Sequence, residues 1–215
     1  MDPTIVQRLQ VLHTSALANA LDAVGCHSHA TASLRPVCKG FRFAGRAVTV
    51  REAVGDYGSF GSEDFRVGAM IDAAAPGDVI VVAADGARAS TWGGMASLAA
   101  KLKGVAGLVV DGGVRDLEEI ESSGFPVFAR HLVPTTGRTR LKVEAIGEEV
   151  EIDGVPVAPG DVIVADGTGV VCVPAAKSLE IAEIAERCAA DDARAETEIR
   201  NGLTFTEAMK KFTRI

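Results

Sequence analysis

Apolar residues recur at Ile5, Leu9, Leu12, Ala16, Leu17, Ala20 and Leu21. That spacing predicts a helix over 4–24, with a break near Thr14-Ser15 and Gly25 as its stop. Residues 46–53, Arg-Ala-Val-Thr-Val-Arg-Glu-Ala, alternate between apolar and polar like a strand, and the Gly-, Ser- and acid-rich stretch 55–64 reads as a loop before a short helix at about 65–75. Pro76-Gly-Asp-Val-Ile-Val-Val-Ala-Ala-Asp-Gly86 and Pro159-Gly-Asp-Val-Ile-Val-Ala-Asp-Gly167 echo each other. Each predicts a turn that launches a strand ending at Asp-Gly, which suggests a layered sheet built from similar units. Met95, Leu98, Ala99 and Leu102 share one helical face over 94–103. Val105–Val110 form a continuously apolar run suited to a strand buried on both faces, and Gly112-Gly113 then predict a tight turn. A short helix at 117–123, a strand at 125–129, strands over 141–152 around Gly147, and a turn at Asp166-Gly-Thr-Gly169 follow. The Ala-, Glu- and Arg-rich segment 178–201 predicts a long helix stopped by Gly202. Its wide charged face suits the surface or a neighbouring subunit.

The pattern is α/β, and 215 residues suffice for one domain, with 178–215 as a helical extension. A hydrophobic fraction of 47% with only 5% aromatics makes the core mostly Val, Ala, Leu and Ile. A net charge of −7 without a basic stripe argues against nucleic acid as a partner. The start lacks a signal-peptide pattern, and no stretch reaches the ~18 apolar residues of a membrane span, so a soluble, cytoplasmic protein is expected. Cys26, Cys38, Cys172 and Cys188 form no CxxC pair and read as buried thiols. His27 and His29 beside Cys26 raise the question of zinc, but residues two apart do not share a helix face and no second ligand pair follows.

The candidate chemistry lies at Arg115-Asp116, just past the apolar strand, where α/β proteins usually place function. Arg115 offers a planar fork for a carboxylate or keto oxygen; alternatively it pairs with Glu118 or Glu119 on the surface. Asp116 is a hard oxygen donor for a divalent metal, yet Asp116-Leu-Glu-Glu119 also matches a capping box. Asp111 is read as accepting backbone N–H groups within the Gly-Gly turn. Gly93-Gly94 before a helix presents bare amides and a helix dipole to an anion. Glu196 has an ordinary i,i+4 partner in Arg200. Phosphate-loop, GxSxG, HExxH and GxGxxG patterns are absent from the sequence.

Gly104-Val-Ala-Gly-Leu-Val-Val-Asp-Gly-Gly-Val-Arg-Asp116 resembles the signature of the RraA-like family, which holds class II 4-hydroxy-4-methyl-2-oxoglutarate aldolases with oxaloacetate decarboxylase activity and the regulator of ribonuclease E. Leu17–Gly25, Gly45–Val50, Pro76–Val82 and Val157–Gly167 with Val170–Pro174 are similar to other blocks of that family. The resemblance implies a layered β/β/α swivelling-domain-like fold with N- and C-terminal helices. It also implies a homotrimer or hexamer with active sites between subunits. It assigns substrate binding to Arg115 and to the amides around Gly93, Gly94, Met95 and Ala96. Asp116 becomes the ligand of Mg²⁺ or Mn²⁺, and Glu196 becomes the acid that reaches a neighbour's site. The implied reaction is C–C cleavage of a small 2-oxo acid through a pyruvate enolate; the alternative is a ribonuclease regulator acting by surface contact. The aldolases usually carry an acid immediately after the Gly aligned with Gly93. Here that position is Gly94, so Gly94→Asp is expected to favour aldol cleavage over decarboxylation.

Overall fold

The structure, a computed structural model, describes residues 3–212. In chain order the elements are α1 (Pro3–Gln10), α2 (Thr14–Ala23), β1 (Arg35–Pro36), β2 (Phe43–Val54), α3 (Val67–Ala73), β3 (Val79–Ala83), β4 (Ser90–Trp92) and α4 (Gly94–Lys103). They continue with β5 (Gly107–Val114), α5 (Leu117–Ser123), β6 (Val127–Leu132), β7 (Leu141–Ile146), β8 (Val150–Ile152), β9 (Val155–Val157), β10 (Val162–Asp166), β11 (Gly169–Val173), α6 (Ser178–Arg200) and α7 (Phe205–Lys211).

The fold is α/β. A mixed sheet runs β1-β6-β5-β3-β2-β10-β11, with β4 beside β5 and β7 beside β2. Strands β2, β3, β5 and β6 are parallel neighbours, while β10, β11, β7 and β1 join antiparallel. The two sheet ends approach through Thr31 N–H donating to Val170 O (2.9 Å) and Cys172 N–H donating to His29 O (2.8 Å), which curls the sheet nearly into a barrel. Strand β3 is buried along its whole length, yet its two faces serve different cores. Val79 and Val81 face the interior, with Phe43, Phe128, Ile163 and the β8–β9 hairpin. Ile80 and Val82 face outward under α3, α4 and α5, with Trp92 and Phe125. A third apolar cluster packs α1, α2 and the first half of α6 on β10 and β11.

The predicted 4–24 helix is two helices, broken at residues 11–13. Asp166 explains the restart, because its carboxylate accepts from both Thr14 N–H (2.9 Å) and Thr14 Oγ1 (2.8 Å) at the start of α2. Gly25, at φ +75°, lets its own N–H reach Asp22 O and that of Cys26 reach Leu21 O, a Schellman closure. The sequence echo is a structural repeat. The Asp78 carboxylate accepts from Ala75 N–H (2.8 Å) and the Asp161 carboxylate from Ala158 N–H (2.9 Å), each closing the Pro-Gly turn before a strand. Helix α7, missed in the sequence, starts with a capping box between Thr204 and Glu207.

Two sequence expectations are corrected. Gly112-Gly113 is no turn: β5 runs straight through it to Val114. The glycines are there for close packing, since a Cβ at Gly113 would lie 2.6 Å from Val133 Cγ2 and 2.7 Å from Ala89 O. On α4 the helix is as predicted but its inward face is not. Gly94, Ser97 and Ala100 are buried, while Met95 (76%), Leu98 (45%) and Leu102 (80%) are exposed. Small residues bring α4 close to the sheet and α5, which turns the larger apolar side chains outward. Among the described residues no helix is long and apolar enough to cross a membrane.

Candidate active site

Parallel neighbours β4 and β5 end side by side, so Trp92-Gly93 and Val114-Arg115 emerge together. Arg115 N–H donates to Trp92 O (3.0 Å), tying the two exits. The β4–α4 junction is pinned from within: Ser90 Oγ donates to Trp92 O (2.7 Å), Trp92 Nε1 to Ser97 Oγ (2.9 Å), and Ser97 Oγ to Gly93 O (3.1 Å). These bonds hold the first turn of α4 beside Arg115 and Asp116, with Met95 and Ala96 in the wall of the cavity there.

Asp116 occupies left-handed backbone space at φ +59° and makes no side-chain cap on α5, so the capping-box reading fails. Its Oδ2 instead accepts a long hydrogen bond from Gly94 N–H (3.3 Å) and lies 3.5 Å from Arg115 Nε. Arg115 therefore pairs with Asp116 rather than with Glu118 or Glu119. Both side chains keep water access, 44% for Arg115 and 36% for Asp116. A cavity of about 200 Å³ lies between them and α4, lined in part by Thr91, Trp92, Gly93, Met95, Ala96 and Arg115. The two glycines are steric requirements. A Cβ at Gly93 would lie 2.4 Å from Asp116 Oδ2, and one at Gly94 would lie 1.9 Å from Glu119 Oε2 and 2.4 Å from Glu119 Cβ. Because Glu119 fills the space that a side chain at position 94 needs, the expectation that Gly94→Asp simply restores a catalytic acid is withdrawn.

Asp111 is not a turn acceptor. Its buried carboxylate takes Arg130 Nε at 2.5 Å and Asp153 N–H at 2.7 Å, and Arg130 Nη2 also reaches Asp153 Oδ1 at 2.8 Å. Burial pushes the Asp153 carboxyl upward, but the Ser33 and Ala32 N–H groups and Arg130 outweigh it and hold the group below the usual carboxylate range. This network is scaffold beneath the site. Glu196 is not brought to Arg115 within the chain. It lies on the exposed far end of α6, ion-paired with Arg200 at 2.5 Å, beside a shallow cavity shared with Ile199 and Phe205. The four cysteines are free thiols, three buried and Cys26 partly so.

Sequence reasoning missed Glu52. It is 2% exposed, and its Oε2 accepts from Thr91 Oγ1 at 2.6 Å, immediately behind the cavity. Burial pushes its carboxyl up to about 7, against the Thr91 hydrogen bond, which lowers it. The available signal was parity, because Glu52 occupies the same strand face as Val48 and Val50. Among the described residues no group of three or more His, Cys, Asp or Glu side chains is arranged around a common metal position.

A sequence model of the RraA-like family (aldolase/RraA) matches residues 14–172. A putative 4-hydroxy-4-methyl-2-oxoglutarate aldolase of Halalkalibacterium halodurans is 30% identical over 204 residues, covering 94% of this chain and 92% of that protein. An uncharacterized protein of Methanocaldococcus jannaschii is 39% identical over 148 residues, 66% of this chain, and the match spans 65% of that protein's length. Among solved structures, Streptomyces coelicolor RraAS2, described as an unusual member of the RNase ES inhibitor RraA protein family, superposes with a TM-score of 0.79 at 28% identity. It covers 94% of this chain and 98% of its own.

Proposed function

The chain belongs to the RraA-like family, and on that premise we propose that it is a divalent-metal-dependent lyase that cleaves a C–C bond of a small 2-oxo acid. The observation that carries this reading is the convergence of Arg115, Asp116 and the α4 N-terminus on one small cavity. An anionic substrate fits those charges. The amides of Met95 and Ala96 and the α4 dipole receive its carboxylate. The Arg115 fork takes the keto oxygen and stabilises the negative charge that grows there as the C–C bond breaks to an enolate.

Asp116 fits a divalent cation. It is a hard oxygen donor, it is spared from capping, and its contacts are long enough to leave lone pairs free. Mg²⁺ is commonly held by one or two carboxylates with water filling the rest of its shell, so the lack of a three-residue cluster is compatible with it. When bound, Mg²⁺ or Mn²⁺ supplies Lewis acidity toward the substrate's oxygens. Arg115 also neutralises Asp116, which keeps the site from repelling an anion when the cation is absent. The reading extends to a cytoplasmic homotrimer or hexamer with Glu196 entering a neighbour's site. Neither nucleic acid nor membrane is a partner in it.

The name of the Streptomyces neighbour supports a second reading, a protein-binding regulator of a ribonuclease. One experiment separates the two: pyruvate release from a panel of 2-oxo acids, oxaloacetate included, with Mg²⁺, Mn²⁺ or excess EDTA. The lyase reading expects turnover that EDTA abolishes. Undiminished turnover in EDTA overturns the metal role. No turnover of any acid, together with inhibition of a ribonuclease, supports the regulator.

A further inference from the structure

Among the described residues, Glu52 is the one buried titratable group in contact with the cavity wall that the proposed chemistry leaves unused. It comes from β2, next to a bulge where β2 shifts register against β7 between Arg51 and Glu52. Val50, on the same face, packs in the cluster that holds Trp92. Among the described residues the carboxyl has one hydrogen-bond partner, the Thr91 hydroxyl, and its other oxygen, Oε1, has none. Thr91 in turn lines the cavity with Arg115 and Asp116.

We propose that Thr91 is a further substrate-binding hydroxyl and that Glu52 is the positioning residue that decides whether this hydroxyl donates to the substrate. This rests on the anionic 2-oxo acid reading above. A hydroxyl has one hydrogen. When Glu52 is ionised, Thr91 must donate that hydrogen to Oε2, and it turns only lone pairs toward the cavity. When Glu52 is protonated, the proton belongs on Oε2, because a buried O–H on Oε1 would be an unpaired donor, whereas an under-satisfied carbonyl oxygen is more easily tolerated. Glu52 then donates to Thr91, and the Thr91 hydrogen is free to point at the substrate anion. The protonated state therefore attracts the ligand and the ionised state repels it.

Burial sets the pH window. It lifts the Glu52 carboxyl to about 7, so the donor state of Thr91 prevails below that pH and is lost as pH rises through it. The charged groups around Glu52 are Arg51, Asp85, Glu144, Glu149 and Glu151 on the side of the adjoining cavity, and Arg115 and Asp116 on the side of the substrate cavity. Lys142 and Glu144 flank its β7 register partner, Val143. Arg51 is engaged by Glu144 and Glu148, and none of these groups hydrogen-bonds Glu52. Neither cavity is lined by a histidine.

The test is calorimetric titration of pyruvate into the folded protein with Mg²⁺ from pH 5.5 to 8.5 (~3 units spanning the Glu52 transition). Pyruvate stays an anion throughout, and a hydrogen bond to a charged group corresponds to about tenfold in affinity. Wild type should lose about that much as pH rises through 7. Glu52→Gln, whose amide donates to Thr91 at every pH, should bind as tightly as acidic wild type and show no transition. Thr91→Val should bind weakly at every pH, and Thr91→Ser should restore both affinity and transition. An independent readout is a protonated-carboxyl infrared band that disappears near neutral pH and is missing in Glu52→Gln. Pyruvate binding that is independent of pH, or a transition that survives Glu52→Gln, overturns the inference while leaving the 2-oxo acid site intact. Absence of pyruvate binding in every protein at every pH overturns both.

Discussion

At the scale of the residue, the site depends on groups whose geometry matters more than their charge. Arg115 lies 3.5 Å from Asp116 and faces the cavity with a two-pronged donor. Arg115→Lys keeps the charge and loses the fork. The variant should fold with an unchanged melting transition, because Arg115 is 44% exposed, and lose about 10²–10³ in turnover, the usual cost of deleting one stabiliser of developing charge. Steady-state kinetics on oxaloacetate checks this, and near-normal kcat would remove Arg115 from the mechanism. The residue types of this site were legible in the sequence because Arg-Asp after an apolar strand is a local pattern. That Asp116 does not cap α5 was not, since a capping box and a metal ligand share one sequence signature and only the missing side-chain cap rules out the first. Asp111 was misread for a related reason. Its partners, Arg130 and Asp153, are 19 and 42 residues away, beyond any local pattern. Gly94 shows the same limit, for the obstacle to a side chain there is Glu119 across a helix–helix contact.

At the scale of the element, the apolar pattern identifies most strands and helices, but not β1, β4, β9 or α7, and not which face is covered. Strand β5 is buried on both sides, as its apolar run predicts, yet it continues four residues beyond Val110 because Gly112 and Gly113 pack flat against Ala84 and Ala89. The middles of β5 and β6 are locked to the β8–β9 turn by the Asp111–Arg130–Asp153 network. Arg130 is largely buried and Asp111 almost fully so. Removing the cation while keeping the bulk, as in Arg130→Met, strands both carboxylates and should cost about 3–5 kcal/mol. Urea denaturation should show a lower midpoint with an unchanged slope. Asp111→Asn with Arg130→Met should recover part of the loss, since no buried charge is then left at position 111. A single variant as stable as wild type would show that the network is not a lock.

At the scale of the whole molecule, the apolar stripe on α4 argues for a partner subunit. Met95, Leu98 and Leu102 sit at helical spacing, exposed by 76%, 45% and 80%, and the first of them, Met95, lines the Arg115 cavity. The core beneath them is complete without them, because Gly94, Ser97 and Ala100 take the inward positions. Contiguous apolar surface next to a site usually marks an interface. Glu196, on the far half of α6, cannot serve the Arg115 site of its own chain in this arrangement, and within the chain it is spent on Arg200. A shared site in a homotrimer accommodates both facts, with the stripe covered and Glu196 delivered from next door. The expected outcome is a trimer or a dimer of trimers by light scattering. Arg115→Ala and Glu196→Ala should each assemble and each be nearly inactive. Mixed one to one and allowed to exchange, they should regain activity in about a quarter of the sites, the fraction in which a head-to-tail interface pairs an intact Arg115 with an intact Glu196. Leu98→Glu should weaken assembly and activity together, because a carboxylate on the stripe would be buried without a partner. Recovery absent after exchange has been demonstrated by mass labelling, or a monomer with full activity, would remove Glu196 from the reaction and leave the site complete within one chain.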